Sequence, residues 1–189
     1  MMGRLKQWLQ PEPPAAAQDP AALRVLMVCM GNICRSPTAE GVLRAKLQRA
    51  GLHGRVVVDS AGTLSNHVGE SPDPRAVRHA AQRGYDIAGL RARQVTPDDY
   101  TRFQWLLAMD GDNLAWLHKR APAGHVAQLE LLMSHASNHA RVPAIPDPYY
   151  GPPAGFEHVL DLVEDACDGL VLRLQSELAA SDAIGRLPV

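Results

Sequence analysis

Leu23-Arg24-Val25-Leu26-Met27-Val28-Cys29-Met30-Gly31-Asn32-Ile33-Cys34-Arg35-Ser36-Pro37-Thr38-Ala39-Glu40 is the stretch that decides the fold. From Leu23 to Cys29 every residue but Arg24 is apolar, the pattern of a strand buried on both faces at the centre of a parallel sheet. Gly31 and Asn32 break the run. Ser36 then stands where a cap belongs, Pro37 at the first helical position, and Glu40 in the first turn, where the helix dipole favours an acid. The helix so begun runs to about Gly51, with Ala39, Val42, Leu43, Leu47 and Ala50 as one apolar stripe.

Outward from this unit the alternation repeats. Arg55 to Asp59 reads as a second strand that stops at Ser60-Ala61-Gly62-Thr63, and Pro74 to Arg83 as a helix ended by Gly84. Gln104 to Met109 is another buried strand, followed by Asp110-Gly111-Asp112-Asn113 and a helix from Leu114 to about Arg120; Val126 to Leu129 reads as a short strand. A long final helix carries Phe156, Val159, Leu160, Val163, Ala166, Cys167, Leu170 and Leu174 on one stripe. Such an order predicts an α/β fold, a parallel sheet covered by helices on both faces with right-handed crossovers. Residues 10–22, rich in proline and alanine, read as part of a flexible N-terminal arm spanning 1–22, within which Leu5, Trp8 and Leu9 have the spacing of a short docking helix. The main domain is expected over 23–180, with a frayed tail at 181–189.

A chain of 189 residues, 46% hydrophobic and 21% charged, is long and apolar enough for one globular domain and is no disordered polymer. Its net charge of -1 argues against a nucleic-acid face or a polybasic membrane anchor. No apolar run approaches the roughly 18 residues of a membrane span. Lys6 and Gln7 interrupt any secretory core, and three cysteines are too few for a disulfide framework, so a reduced, cytoplasmic setting is expected.

In a sheet of this kind ligands bind beyond the carboxyl ends of the strands, and the first strand-to-helix turn is an anion site. Here that turn runs from Cys29 to Ser36, and Gly31 and Asn32 tolerate the dihedrals a curled nest of amides requires. It holds neither G-x-G-x-x-G nor G-K-[ST], so neither a dinucleotide nor a nucleoside triphosphate is expected. Cys29 opens the turn and Arg35 closes it. A helix N-terminus and a guanidinium lower a cysteine pKa from about 8.5 to between about 3.5 and 7.5, which makes Cys29 a thiolate nucleophile. Arg35 offers a planar fork for two oxygens of a phosphoryl group. The plainer alternative, a buried strand-end cysteine and a solvated arginine, ignores that the pair brackets a capped turn. Thiolate attack on phosphorus needs an acid for the leaving oxygen, and Asp147, between Pro146 and Pro148, stands in a stiff loop followed by Tyr149 and Tyr150. That aspartate could equally cap a proline-rich turn.

Other chemistry-bearing residues have ordinary readings. Asp110 could serve the site or cap the next helix. His135 and His139 have a metal-clip spacing but no third ligand nearby and read as solvated surface, so no metal and no cofactor is expected. Cys167 and Trp105 read as core, Trp116 as helix packing.

Taken together, Val28 to Glu40, Asp59-Ser60-Ala61-Gly62-Thr63, Ser71-Pro72-Asp73-Pro74-Arg75-Ala76, Ala92-Arg93-Gln94, Met109-Asp110 and Asp147-Pro148-Tyr149-Tyr150 resemble the low molecular weight protein tyrosine phosphatase family over roughly residues 23–178. The resemblance implies a flavodoxin-like, three-layer α/β/α fold with a four-stranded parallel sheet. It implies hydrolysis of phosphotyrosine in proteins through a phosphocysteine, with Cys29 as nucleophile, Arg35 as phosphate clamp and Asp147 as general acid and then base. Met30, Gly31, Asn32, Ile33, Cys34 and Ser36 would shape the phosphate loop, Ser36 also donating to the leaving thiolate. Ile33 tilts preference to phosphotyrosine, since relatives acting on phosphoarginine carry threonine there. Tyr149 and Tyr150 would line the pocket and could be modified by a tyrosine kinase; Cys34 would form a reversible disulfide with oxidised Cys29. Two departures stand out. Leu90 and Arg91 occupy the place of a histidine that supports the loop asparagine in many members, and Leu64 to His67 lack the rim aromatic, for which Leu64 or His67 could substitute. Arsenate reductase of the same fold needs two further cysteines, whereas Cys167 alone lies outside the loop; a silent phosphoprotein-binding module would lack the nucleophile or the acid.

Overall fold

The computed structural model describes residues 22–184. Its four strands, β1 (Leu23–Cys29), β2 (Val56–Gly62), β3 (Trp105–Ala108) and β4 (Gln128–Leu131), form one all-parallel sheet in the order β2-β1-β3-β4. The helices are α1 (Arg35–Arg49), α2 (Pro74–Gln82), the single turn α3 (Asp99–Arg102), α4 (Gly111–Arg120) and α5 (Ala154–Ile184), with a 3₁₀ turn at Leu132–His135. The expected three-layer α/β/α fold is observed.

Alternation along β1 divides the core. Val25, Met27 and Cys29 face a cluster built from α1, α2 and α5, while Leu26 and Val28 face Tyr100, Phe103 and Leu117 on the α3 and α4 side. All eight residues of the α5 stripe are buried, and α1 packs beside α5 in the same cluster. At ~25 cal/mol per Å² of apolar surface removed from water, such stripes supply most of the driving force for folding. Trp105 is core, as expected, and donates to Gln128 Oε1.

Some boundaries differ from the sequence reading. The second strand extends through Gly62 rather than ending before Ser60, because Ser60, Ala61 and Gly62 pair in register with Met27, Val28 and Cys29. The last strand is Gln128–Leu131, two residues beyond the expected run, and Val126 is solvent-exposed. An edge strand buried on part of one face carries too weak an apolar pattern to be placed. The turn α3 has no sequence signal, since four residues cannot show a helical period. The arm assigned to 1–22 lies, but for Ala22, outside the described residues. Helix α5 continues to Ile184, past the residue where fraying was expected, and 185–189 also lie outside. No helix among the described residues is long and apolar enough to cross a membrane.

Candidate active site

The loop after β1 turns back over the carboxyl end of the sheet. Asn32 adopts φ 56°, the left-handed region that asparagine tolerates better than most residues. The loop is pinned from outside by Thr63 N–H to Cys29 O (2.9 Å), Leu64 N–H to Met30 O (3.0 Å) and Asp73 N–H to Ile33 O (2.8 Å). Gly62 lets it pass this closely: a Cβ there would lie 2.8 Å from Met30 O and 3.2 Å from Asn32 N.

Ser36 is not the helix cap. The helix begins at Arg35, its N-cap is Cys34, and no side chain caps it. The Ser36 hydroxyl instead lies 3.0 Å from Cys29 Sγ, and the Asn32 N–H donates to the same sulfur at 3.3 Å. Asn32 Nδ2 donates to Ser36 Oγ and to Ser60 Oγ, both at 2.9 Å, while Asn32 Oδ1 accepts from Arg93 N–H. Thus Asn32 is held without a histidine. Leu90 packs against the core and the exposed Arg91 bonds to Ala88 O and Leu90 O.

Glu40 is likewise no surface dipole partner. It is 2% exposed, accepts from Ser60 Oγ at 2.5 Å and pairs with Arg44 at 2.6 Å. Burial pushes its carboxyl up to about 7, outweighing the opposite pull of Arg44 and the Ser60 hydrogen bond.

Arg35 is buried rather than solvated. Nη1 donates to Asp110 Oδ2 at 2.5 Å and to Ile145 O at 3.2 Å, and Nη2 donates to Asp147 Oδ2 at 2.9 Å. Burial opposes the guanidinium charge, but Cys29, Asp110 and Asp147 outweigh it and raise the Arg35 pKa above its usual value. Asp110 fills both of its suggested roles: its other oxygen accepts from Asn113 N–H and caps α4. Asp147 is half exposed, and its second oxygen accepts from Tyr149 N–H.

Cys29 and Arg35 lie inside a cleft of 380 Å³, with Asp147 at its side. Met30, Ile33, Leu64, His67, Tyr149 and Tyr150 complete the walls, so Leu64 and His67 do stand at the rim. Tyr149 and Tyr150 meet edge to face at 4.8 Å, and the Arg75 guanidinium, forked onto Asp73, sits 5.4 Å from the Tyr149 ring. A larger cleft of 710 Å³ beside β2 contains Arg24, Arg44, His53 and Asp59 but no nucleophile, and is not where the chemistry converges.

Cys34 is buried, and burial, reinforced by Asp73 and Cys29, pushes its thiol up to about 12. Cys167 is fully buried on α5 and burial raises its pKa further. No group of residues suited to a metal occurs among the described residues. His139 binds Asp165, and the His135 side chain is largely buried beside Glu130 instead of solvated, because the 3₁₀ turn folds it against α5. Sequence reasoning missed Glu40, Ser60 and Arg93 as parts of the site. The available signal was a cluster of polar residues within otherwise buried stretches.

A family model described as low molecular weight phosphotyrosine protein phosphatase matches residues 24–180. A Synechocystis sp. chain, provisionally named a low molecular weight protein-tyrosine-phosphatase, is 47% identical over 156 residues, covering 82% of this chain and 99% of its own. Among solved structures, a protein tyrosine phosphatase from Entamoeba histolytica superposes with TM-score 0.78 at 36% identity, covering 82% of this chain and 99% of that one. YfkJ from Bacillus subtilis gives TM-score 0.77 at 33% identity, covering 82% and 96%.

Proposed function

This chain belongs to the low molecular weight phosphotyrosine protein phosphatase family and is a hydrolase of that family, and we propose that it cleaves phosphotyrosine in proteins by a two-step transfer through Cys29. The carrying observation is the sulfur inside the cleft, with the Ser36 hydroxyl and the Asn32 N–H both on it.

In the first step the Cys29 thiolate forms a bond to phosphorus opposite the tyrosine oxygen. The P–O bond breaks, and the Asp147 carboxyl passes its proton to the departing phenoxide. Phosphate oxygens compete with the Asp147 carboxylate for Arg35 Nη2, while Nη1 stays on Asp110 and Ile145 O. Binding therefore frees Asp147 to act as acid as it engages the clamp. In the second step Asp147 takes a proton from water, the water oxygen bonds phosphorus, and the S–P bond breaks. The returning thiolate meets the Ser36 O–H. First-turn amides of α1, which no side chain caps, complete the anion site. Met30, Gly31 and Cys34 belong to this loop, and Ile33, Leu64, Tyr149 and Tyr150 give apolar walls suited to an aryl ester.

Replacing Asp147 with alanine is expected to lower kcat for phenyl phosphate about 10²- to 10³-fold. The loss should shrink for an activated nitrophenyl ester, which leaves without a proton. Equal losses on both esters would remove Asp147 as the acid.

Regulation follows from the same residues. Tyr150 is 97% exposed and accessible to a tyrosine kinase, Tyr149 less so. Peroxide would oxidise Cys29 to a sulfenic acid, from which the Cys34 sulfur displaces water to form a disulfide. The high Cys34 pKa makes this closure slow at neutral pH. Mass spectrometry after peroxide treatment should show the Cys29 to Cys34 bond; irreversible oxidation of Cys29 without it would refute the protection.

A further inference from the structure

Strand β2 is an outermost strand of the sheet, and part of its outer edge is open. Leu23 N–H donates to Arg55 O and Leu23 lies in register with Val56, so residues 55, 57 and 59 turn their peptide groups to β1 while 56, 58 and 60 turn theirs outward. Both ends of that outer edge are covered. Val56 N–H reaches Leu52 O at 3.1 Å, and at the far end Gly62 bonds with Arg93 O and Val95 N–H. Between them Arg44 Nη2 donates to Val58 O at 3.0 Å, and Asp59 Oδ1 accepts from Ser60 N–H at 2.7 Å. Val56 O and Val58 N–H have no hydrogen-bond partner among the described residues. Such an edge is a template for pairing unless something covers it.

The 710 Å³ cleft lies over this gap and straddles the sheet. Arg44 and Leu47 of α1 wall it on the face where Val56 and Val58 pack, and Arg102 and Phe103, at the end of α3, wall it on the other. Its size falls within the about 300–1,000 Å³ of pockets that enclose a ligand. Arg24, Arg44 and Arg102 line it against a single carboxylate, Asp59, which Arg93 holds at 2.8 Å. In a chain of net charge -1 this is a cationic patch. A second copy of the same edge would set arginine against arginine, which disfavours it as the occupant.

The chain itself supplies a better one. Ala22 immediately precedes β1, beside the start of β2, and twenty-one residues come before it. Leu5, Trp8 and Leu9 form an apolar triad among them, and the two acids there, Glu12 and Asp19, fall between that triad and Ala22. At ~3.1 Å per residue for a proline-rich stretch, the segment from Gln10 to Ala22 spans up to about 40 Å, enough to bring the triad to the cleft. Tethering gives the triad an effective concentration on the order of millimolar, so even a weak contact is populated. We propose that this N-terminal segment is the occupant: Leu5, Trp8 and Leu9 pack into the cleft, Glu12 and Asp19 face its arginines, and the open edge of β2 is covered. Arg4 and Lys6 flank the triad, so apolar contact rather than net charge seats it.

Hydrogen exchange of the Val58 amide, followed by NMR in the full chain at two protein concentrations, provides the test. Wild type is compared with Trp8→Glu, Leu5→Glu, Arg102→Glu and the variant combining Trp8→Glu with Arg102→Glu. If the tethered concentration exceeds the intrinsic Kd tenfold, Val58 should exchange about tenfold faster in Trp8→Glu and in Leu5→Glu. Arg102→Glu removes an exposed charge contact and should speed exchange at most about fivefold. The double variant should be no faster than Trp8→Glu alone. Turnover of p-nitrophenyl phosphate should stay at the wild-type rate throughout, since the cleft lies apart from Cys29, and the result is independent of the thiolate mechanism. Equal Val58 exchange in wild type and both N-terminal variants overturns the proposal, as do multiplying effects in the double. Protection that rises with protein concentration assigns the edge to a second copy, and protection gained only on adding another protein assigns it to a partner; either outcome also overturns it.

Discussion

Serine in place of Cys29 is expected to lower kcat for an aryl phosphate on the order of 10⁴-fold or more, the scale seen when a covalent nucleophile is removed. A thiol loses its proton far more readily than an alcohol, so the native sulfur needs no base. A serine would need one, and in the first step Asp147 is committed as the acid for the leaving oxygen. The contacts of the sulfur are the Ser36 hydroxyl and the Asn32 N–H, neither of them a base, and the cleft's carboxylate, Asp147, is tied to Arg35. Binding should survive, because the loop amides and Arg35 are untouched. Steady-state kinetics together with phosphate binding by calorimetry provide the check. Residual turnover within tenfold of wild type would place the nucleophile elsewhere, and persistence of phosphate affinity guards against reading a misfolded protein as a dead one.

Lysine at position 35 is expected to lower kcat about 10²- to 10³-fold, the range for removing a donor aimed at developing charge. The substitution keeps the charge but not the fork. Arg35 spans Asp110, Ile145 O and Asp147 with two nitrogens at once, and its side chain is only 3% exposed. An ammonium can satisfy one carboxylate at that position and leaves the other buried edge poorly paired, so Asp147 loses its resting partner as well. The measurable consequence is a combined fall in kcat and rise in KM, with a lower Tm from the unpaired Asp110. A lysine variant with wild-type kcat would mean that point charge alone suffices and that bidentate geometry contributes nothing.

Both predictions depend on the same arrangement. β1 delivers Cys29 to the carboxyl edge of the sheet, α1 begins at Arg35, and their separation is short enough that the proposed nucleophile and clamp share one turn. Asp110 follows β3 and Asp147 lies beyond the 3₁₀ turn, so the sheet order β2-β1-β3-β4 brings both carboxylates beside β1 despite their distance in sequence. A neighbouring strand thus supplies what the loop lacks. On the other flank β2 supplies Ser60 and the close approach permitted at Gly62.

The chain's own order of residues was enough to determine the alternating α/β architecture, the strand Leu23–Cys29, the apolar stripe of α5 and the loop from Cys29 to Ser36, because these are local or strictly periodic features. Asp147 could be singled out as an acid by its stiff setting, though not joined to Arg35. What required the tertiary structure was partnership across distance. Asp110 as an Arg35 ligand and Glu40 as a buried carboxyl tied through Ser60 to Asn32 depend on which strands lie side by side, while Ser36 as a sulfur contact rather than a cap depends on how the turn after β1 curls. A side chain's periodic position says which face it occupies, but its protonation and hydrogen bonds are decided by the atoms that folding sets against it, and those come from segments 20 to 112 residues away.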